Sequence, residues 1–262
     1  MVRLAGRVAD AGGASGLIQA FKDQLREQTL ASNRSKPIGA GAYGTVYASD
    51  TPGNVMKQNH WGGEGHDLVE EANLQAIAAE LGIAPKVASI ETFRGDVGNR
   101  IEMQDIRDNF ETRRGGKIPG VQGSWPAGMD AVRVNQQLGQ LALKGVDLDD
   151  RHSGNVRYHK MTGRPMQLDF GVASRVEGEM QVHALTRATE SGFQAAGLGD
   201  VAEIYSDTVY DLLAGGQVAE AMDVAKQGFS RLQKIRRVHS PVDQLVDKVT
   251  KESDLFDVIS PY

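Results

Sequence analysis

Apolar positions change rhythm along this chain, from short runs broken by glycine to stripes repeating every three or four residues. Pro37-Ile38, Thr45-Val46-Tyr47-Ala48 and Val55-Met56-Lys57, with a turn at Asp50 to Gly53, predict a three-strand meander. Leu68, Leu74, Ile77 and Leu81 share one helical face, which predicts a helix from about His66 to Leu81 closed by Gly82. Val87 to Phe93 and Arg100 to Gln104 predict two further strands around the polar turn Arg94 to Asn99. Asn109 to Gly128 is glycine-rich and reads as loop, and Met129 to Lys144 as helix. Val156 to Tyr158 and Met166 to Asp169 predict a hairpin across the turn Lys160 to Gly163.

Everything beyond about Gln181 reads as helical. The clearest stripe is Val218, Met222, Ala225, Phe229, Leu232 and Ile235. Its basic end, Lys234-Ile235-Arg236-Arg237, suits the negative pole of a helix, and Ser240-Pro241-Val242-Asp243 reads as a fresh cap. At the other end, Met1 to Gly16 is rich in small residues, and Leu17, Ile18, Phe21 and Leu25 predict one amphipathic helix ending near Leu30. A small β-rich half is thus followed by a larger helical half, an α+β arrangement.

Bulk composition narrows this picture. At 262 residues, one large domain or two lobes hinged across a cleft both fit. With 40% hydrophobic residues, 24% charged and a formal net charge of -5, the chain has the balance of a globular protein and lacks the basic excess of a nucleic-acid binder. The absence of cysteine excludes disulfides, thiolate metal sites and cysteine nucleophiles, and fits a reducing compartment. No run of 18 apolar residues crosses a membrane, and no apolar core of signal-peptide length opens the chain. A cytoplasmic protein without nucleic-acid or membrane partners is expected; a non-Sec secretion signal in the first 35 residues would leave no such trace.

Candidate chemistry lies between these elements. Gly39-Ala40-Gly41-Ala42-Tyr43-Gly44-Thr45-Val46 is a G-x-G-x-x-G-x-V run followed by a strand rather than a helix, which disfavours a dinucleotide fold. Lys57 follows Val46 by eleven residues at a strand end, where its ammonium could reach phosphate oxygens. Glu70 or Glu71 on the next helix could orient that lysine; Glu70 is preferred because Leu74 shares its face. Asp150-Arg151-His152-Ser153-Gly154-Asn155 precedes Asp169-Phe170-Gly171. An Asp, an Asn and a second Asp on adjoining loops supply a proton acceptor and hard oxygen ligands for Mg²⁺.

In this fixed order the motifs from Ile38 to Ala173 resemble the protein-kinase-like superfamily, in particular compact, effector-like kinases of bacterial and phage type. The resemblance implies a bilobal fold with a small antiparallel β-rich N-lobe and a reduced helical C-lobe. Residues 1–35 would be an extension with one helix, 36–106 the N-lobe and hinge, and 107–262 the C-lobe. It implies ATP and Mg²⁺ as cofactors, with Gly39, Gly41, Tyr43, Gly44 and Val46 over the nucleotide and Lys57 paired to Glu70 and the α/β-phosphates. Met103 would be the gatekeeper, and Gln104 to Ile106 the hinge against adenine. Asp150 would take or orient the acceptor proton, His152 would contact the γ-phosphate, and Asn155 and Asp169 would hold the metal.

Departures from the family pattern bear on the substrate. Leu148 stands where the usual His would be, Asp149 where many relatives have Arg, and His152 where Lys is usual. No A-P-E follows the D-F-G. The leading expectation is γ-phosphoryl transfer from ATP to a Ser or Thr hydroxyl of a protein, inside the cell of origin or a host reached by a non-Sec route. The alternatives are an aminoglycoside- or choline-type small-molecule kinase, with Asp200, Glu203, Asp207 and Asp211 lining an acidic pocket, and a catalytically dead scaffold or virion protein. Asp149 would repel a phosphate, so the segment after Gly171 is expected to order without phosphorylation.

Overall fold

The computed structural model describes residues 37–40, 44–59, 67–92, 99–113, 126–148 and 152–236. Gly41, Tyr43, Asp150, the helix expected before Leu30 and the cap expected at Ser240 lie outside the described residues. The chain forms two compact units. One draws on the described parts of Met1–His66 with Ala88–Gln104, the other on those of Asp67–Val87 with Asp105–Tyr262.

The first unit is a sheet in the order β1-β2-β3-β5-β4, from β1 (Gly39–Ala40), β2 (Gly44–Ala48), β3 (Asn54–Asn59), β4 (Val87–Glu91) and β5 (Arg100–Gln104). Its β1–β2, β2–β3 and β3–β5 ladders are antiparallel. Register pairs Val46 with Lys57, Lys57 with Ile101 and Val55 with Met103. Since side chains alternate across a sheet, Val46, Val55, Lys57, Ile101 and Met103 share one face, and Met56, Arg100 and Glu102 the other.

On that second face Glu102 ties strands together, its carboxylate accepting from Ser49 Oγ and, at 3.1 Å, from Ser89 Oγ. Burial alone would raise its pKa, but donors from Ser49, Thr51, Ser89 and Asn54 outweigh burial and hold it below the ordinary 4.5. A carboxylate depressed in the folded state adds stability that is complete above its unfolded pKa and fades as pH falls through the folded value. Glu102→Gln is therefore expected to lower the urea midpoint at pH 7, and the deficit against wild type is expected to shrink below about pH 4. A deficit that stays constant down to pH 3 would contradict the ionised carboxylate as its source.

The second unit opens with α1 (Leu68–Glu80). Asp67 caps it, with Oδ1 accepting from Val69 N at 2.8 Å and Glu70 N at 3.2 Å. Gly82 ends it at φ 67°, with Ile83 N donating to Ala78 O at 2.8 Å, a closure that needs the left-handed region. There follow β6 (Phe110–Glu111), α2 (Gly128–Leu143), β7 (Val146–Asp147), a 3-10 turn (Ser153–Asn155), β8 (Val156–His159), β9 (Pro165–Gln167) and β10 (Ser174–Arg175). Three helices complete the unit, α3 (Gly178–Ala195), α4 (Gly199–Ala214) and α5 (Val218–Leu232). Strands β6, β8 and β9 form one small sheet, and β7 pairs with β10. The fold is α+β.

Two cores hold this unit. Leu74 and Ala78 of α1 join Leu141, Val156, Tyr158 and Phe170 in one, so the helix assigned by sequence to the lobe 36–106 packs within the second unit. Val132, Leu185, Phe193, Tyr205, Phe229 and Leu232 anchor the other. The last stripe stops as helix at Leu232, although it was read to Ile235, because Gln136 Nε2 donates to Leu232 O at 2.7 Å and Ile235 O at 3.3 Å. A side chain thus takes carbonyls that another helical turn would have used.

Helix contact here runs through glycine. A Cβ at Gly139 would lie 2.0 Å from the Phe229 ring, and one at Gly228 2.2 Å from the Tyr205 ring. Gly139→Val is expected to destabilise by about 1–3 kcal/mol through overpacking. That corresponds to a fall of several degrees in Tm in a thermal melt; an unchanged Tm would contradict the close approach.

Candidate active site

Of the candidate nucleotide residues, the sheet unit holds Gly39, Gly44, Val46, Lys57, Met103 and Gln104 among the described residues. Val46, Lys57 and Met103 lie on one face by register, and Lys57 and Met103 are 7% and 6% exposed. A lysine this deep in a strand departs from the usual solvated strand lysine. Gly44 needs its missing side chain, since a Cβ there would sit 2.7 Å from Gln58 O of the neighbouring strand. Gly39 has open space around its Cβ position, so packing does not demand glycine there. Gln104 ends this unit, and Asp105 and Ile106 begin the next. Arg107 grips Asp105 with side-chain and backbone donors at 2.6 to 3.1 Å, and these bonds hold the Asp105 carboxyl below its ordinary pKa despite burial. A cavity of about 130 Å³ opens on the sheet, lined by Met56, Ser89, Arg100 and Glu102 among others. That is the face opposite Lys57, away from the candidate chemistry.

In the second unit the β8–β9 hairpin brings the two candidate metal ligands together. Val156 pairs with Gln167, and Leu168 N donates to Asn155 O at 2.9 Å, so Asn155 stands opposite the residue that precedes Asp169. Phe170 is fully buried in the core and anchors the segment, while half-buried Asp169 accepts from Gly171 N at 3.0 Å through Oδ1. Strand β9 ends at Gln167, two residues short of the expected Asp169, which leaves that carboxylate on a loop. An amide oxygen and a carboxylate oxygen are hard donors that suit Mg²⁺, which binds through one or two protein oxygens and fills its shell with waters and phosphates. Among the described residues no group of three or more His, Asp or Glu could hold a metal.

His152 caps the turn that leads to Asn155. Its Nδ1 accepts from Gly154 N at 3.0 Å, which fixes Nδ1 as the acceptor and Nε2 as the protonated nitrogen. Gly154 is required beneath it, since a Cβ there would meet the ring at 2.5 Å. Upstream of the turn, Asp147 takes a 2.5 Å ion pair from Arg187 of α3. Downstream, Ser174 pairs with Asp147 and Val176 N donates to Gly145 O at 2.9 Å. The short segment between Gly171 and α3 is therefore tied by backbone bonds to the strand that leads into the candidate catalytic turn.

Sequence reasoning chose Glu70 over Glu71, and the structure separates them differently. Glu70 is 42% exposed and pairs with Arg175 at 3.5 Å. Glu71 is 2% exposed and lies on the buried face with Leu68, Ala72, Gln75 and Ala78. A buried carboxylate must be compensated by charge or hydrogen bonds, an exposed ion pair contributes little, and so Glu71 has the setting expected of a structural carboxylate. Glu70→Gln is expected to cost less than about 1 kcal/mol in urea unfolding. Glu71→Gln is expected to cost about 1–3 kcal/mol; the reverse order would contradict this assignment.

Asp200, Glu203, Asp207 and Asp211 are exposed on α4. Glu190 of α3 nearby has its pKa raised, by burial first and by the Asp207 charge second. Arg157, on β8 beside Asn155, was passed over in the sequence, and burial lowers its pKa.

No protein-family model matches this chain, and no curated protein does. Among solved structures it is similar to the PK-1 kinase of Cydia pomonella granulovirus, at 14% identity and TM-score 0.39 over 59% of this chain and 61% of that one. The match therefore spans less than two thirds of the granulovirus kinase. It is also similar to the PknI kinase domain of Mycobacterium tuberculosis, at 17% identity and TM-score 0.40 over 61% of this chain and 71% of that one. A chain of the ATP-gamma-S-bound CAK complex of Chaetomium thermophilum matches at 14% identity and TM-score 0.37, over 59% of this chain and 52% of that one. Likenesses of this size carry no functional inference, and the chemistry has to come from the chain's own residues.

Proposed function

We propose that this protein is an ATP- and Mg²⁺-dependent phosphotransferase of the protein-kinase-like superfamily, acting on a Ser or Thr hydroxyl of a protein. The observation that carries this reading is the hairpin register, with Leu168 N bonded to Asn155 O, which sets Asn155 beside the Asp169 segment while Phe170 anchors it in the core. On this reading Asn155 and Asp169 hold Mg²⁺, which would screen the charge of the phosphates. Lys57, buried on the sheet face of Val46 and Met103, contacts the α/β-phosphates. On the same reading the His152 Nε2–H donates to the γ-phosphate, with Nδ1 accepting from Gly154 N.

In the transfer the acceptor oxygen forms a bond to the γ-phosphorus, the bond from that phosphorus to the ADP oxygen breaks, and the hydroxyl proton passes to the Asp150 carboxylate. Incubating the protein with γ-labelled ATP, Mg²⁺ and a cell lysate tests the acceptor. Label on protein bands is expected. Label confined to soluble metabolites would overturn the protein acceptor in favour of a small-molecule one.

A further inference from the structure

Strand β8 alternates. Val156 and Tyr158 are buried in the core, so half-buried Arg157 lies on the strand's other face, across from Met166. Its guanidinium bonds through Nη1 alone, to Gly154 O at 2.8 Å and Val156 O at 3.2 Å. Those bonds draw the head back along the strand toward the turn that carries Asn155. Carbonyls do not neutralise a cation. Arg107, Arg113, Arg133, Arg175 and Arg187 of the same unit each face a carboxylate. Arg164, on the hairpin turn, and Arg236, far along the chain from Asn155 and Asp169, bond carbonyl oxygens as Arg157 does. Arg157 faces none among the described residues, and its Nε and Nη2 edge takes no hydrogen bond there.

An arginine edge of this kind offers two parallel donors in the geometry that oxyanions accept. The arginine sits two residues from one candidate Mg²⁺ ligand, on the hairpin that aligns the other. We propose that Arg157 is a nucleotide-binding residue of the second unit, whose Nε and Nη2 donate to the polyphosphate of the bound nucleotide. This rests on the phosphotransferase reading and adds a cation to the single lysine expected from the sheet unit.

Titration calorimetry of the full chain with Mg·ATP, Mg·ADP and adenosine separates the two claims. Wild type is expected to bind both nucleotides, and Arg157→Gln to bind Mg·ATP about tenfold more weakly with adenosine affinity unchanged. Arg157→Lys, which keeps charge and length without the fork, is expected to fall between them and covers the case in which the Gln variant does not fold. Wild-type affinity for Mg·ATP in either variant that folds would overturn the assignment alone. An equal loss for adenosine would overturn it too, by pointing to the base or to packing. If wild type binds neither nucleotide with Mg²⁺, the phosphotransferase reading falls and this inference with it.

Discussion

Asp169→Asn is expected to lower kcat at least about a hundredfold, roughly 3 kcal/mol of transition-state stabilisation, while the melting curve stays where it is. Both halves follow from the local structure. Asp169 lies on a loop, half-buried, with Oδ1 accepting from Gly171 N. An asparagine keeps that acceptor, and Phe170 still fills the core beside it. What is lost is the negative charge that Mg²⁺ would need on the proposed reading. Steady-state ADP release by the two proteins, with melting curves in parallel, decides the matter. Equal turnover would remove Asp169 from the metal site.

Lys57→Met is expected to cost about 10²–10³-fold in kcat/KM, the range found when one preorganised donor to a developing charge is removed. Lys57 stands between Val46 and Ile101 in the ladder and is 7% exposed. Methionine has comparable volume and suits those apolar neighbours, so the sheet is expected to form with its phosphate contact gone. On the proposed reading the lysine holds the α/β-phosphates in the ground state and meets more charge in the transition state, so a rise in KM for ATP should accompany the fall in kcat. A variant that folds and turns over normally would remove Lys57 from the site.

Some of this fold was legible in the sequence because one physical signal dominated. Helix α5 repeats large apolar residues at steps of three and four and buries nearly that same stripe. The β8–β9 hairpin declared itself by alternation around a polar turn. Helix α1 was found but its buried face was misjudged. Polar Glu71 and Gln75 are buried alongside Leu74, so counting apolar residues did not reveal Glu71 as part of the buried face.

The two-residue strands β6, β7 and β10 carry no period at all; partners distant in sequence define them. Helix-interior glycines read as weak points by propensity, whereas Gly139 and Gly228 are where aromatic rings of neighbouring helices come closest. At the site, motif order was enough to nominate Asn155 and Asp169, and the hairpin bonds Leu168, the neighbour of Asp169, to Asn155. Arg157 could have been noticed from the alternation Val-Arg-Tyr-His, which puts a cation on the face opposite two core residues. Its lack of a carboxylate partner among the described residues is a property of three-dimensional neighbours and had no trace in the sequence.

The measurement that tests the central claim most directly is transfer of the γ-phosphoryl group itself. Purified wild type and Asp169→Asn are incubated with γ-labelled ATP and lysate acceptors, each in Mg²⁺ and in excess EDTA, and covalently bound label is counted. Incorporation by wild type in Mg²⁺, with near-background counts in the other three conditions, is the predicted result. Incorporation that survives EDTA or the Asp169→Asn change, or none by wild type in Mg²⁺, would contradict a Mg²⁺-dependent phosphotransferase built on Asn155 and Asp169.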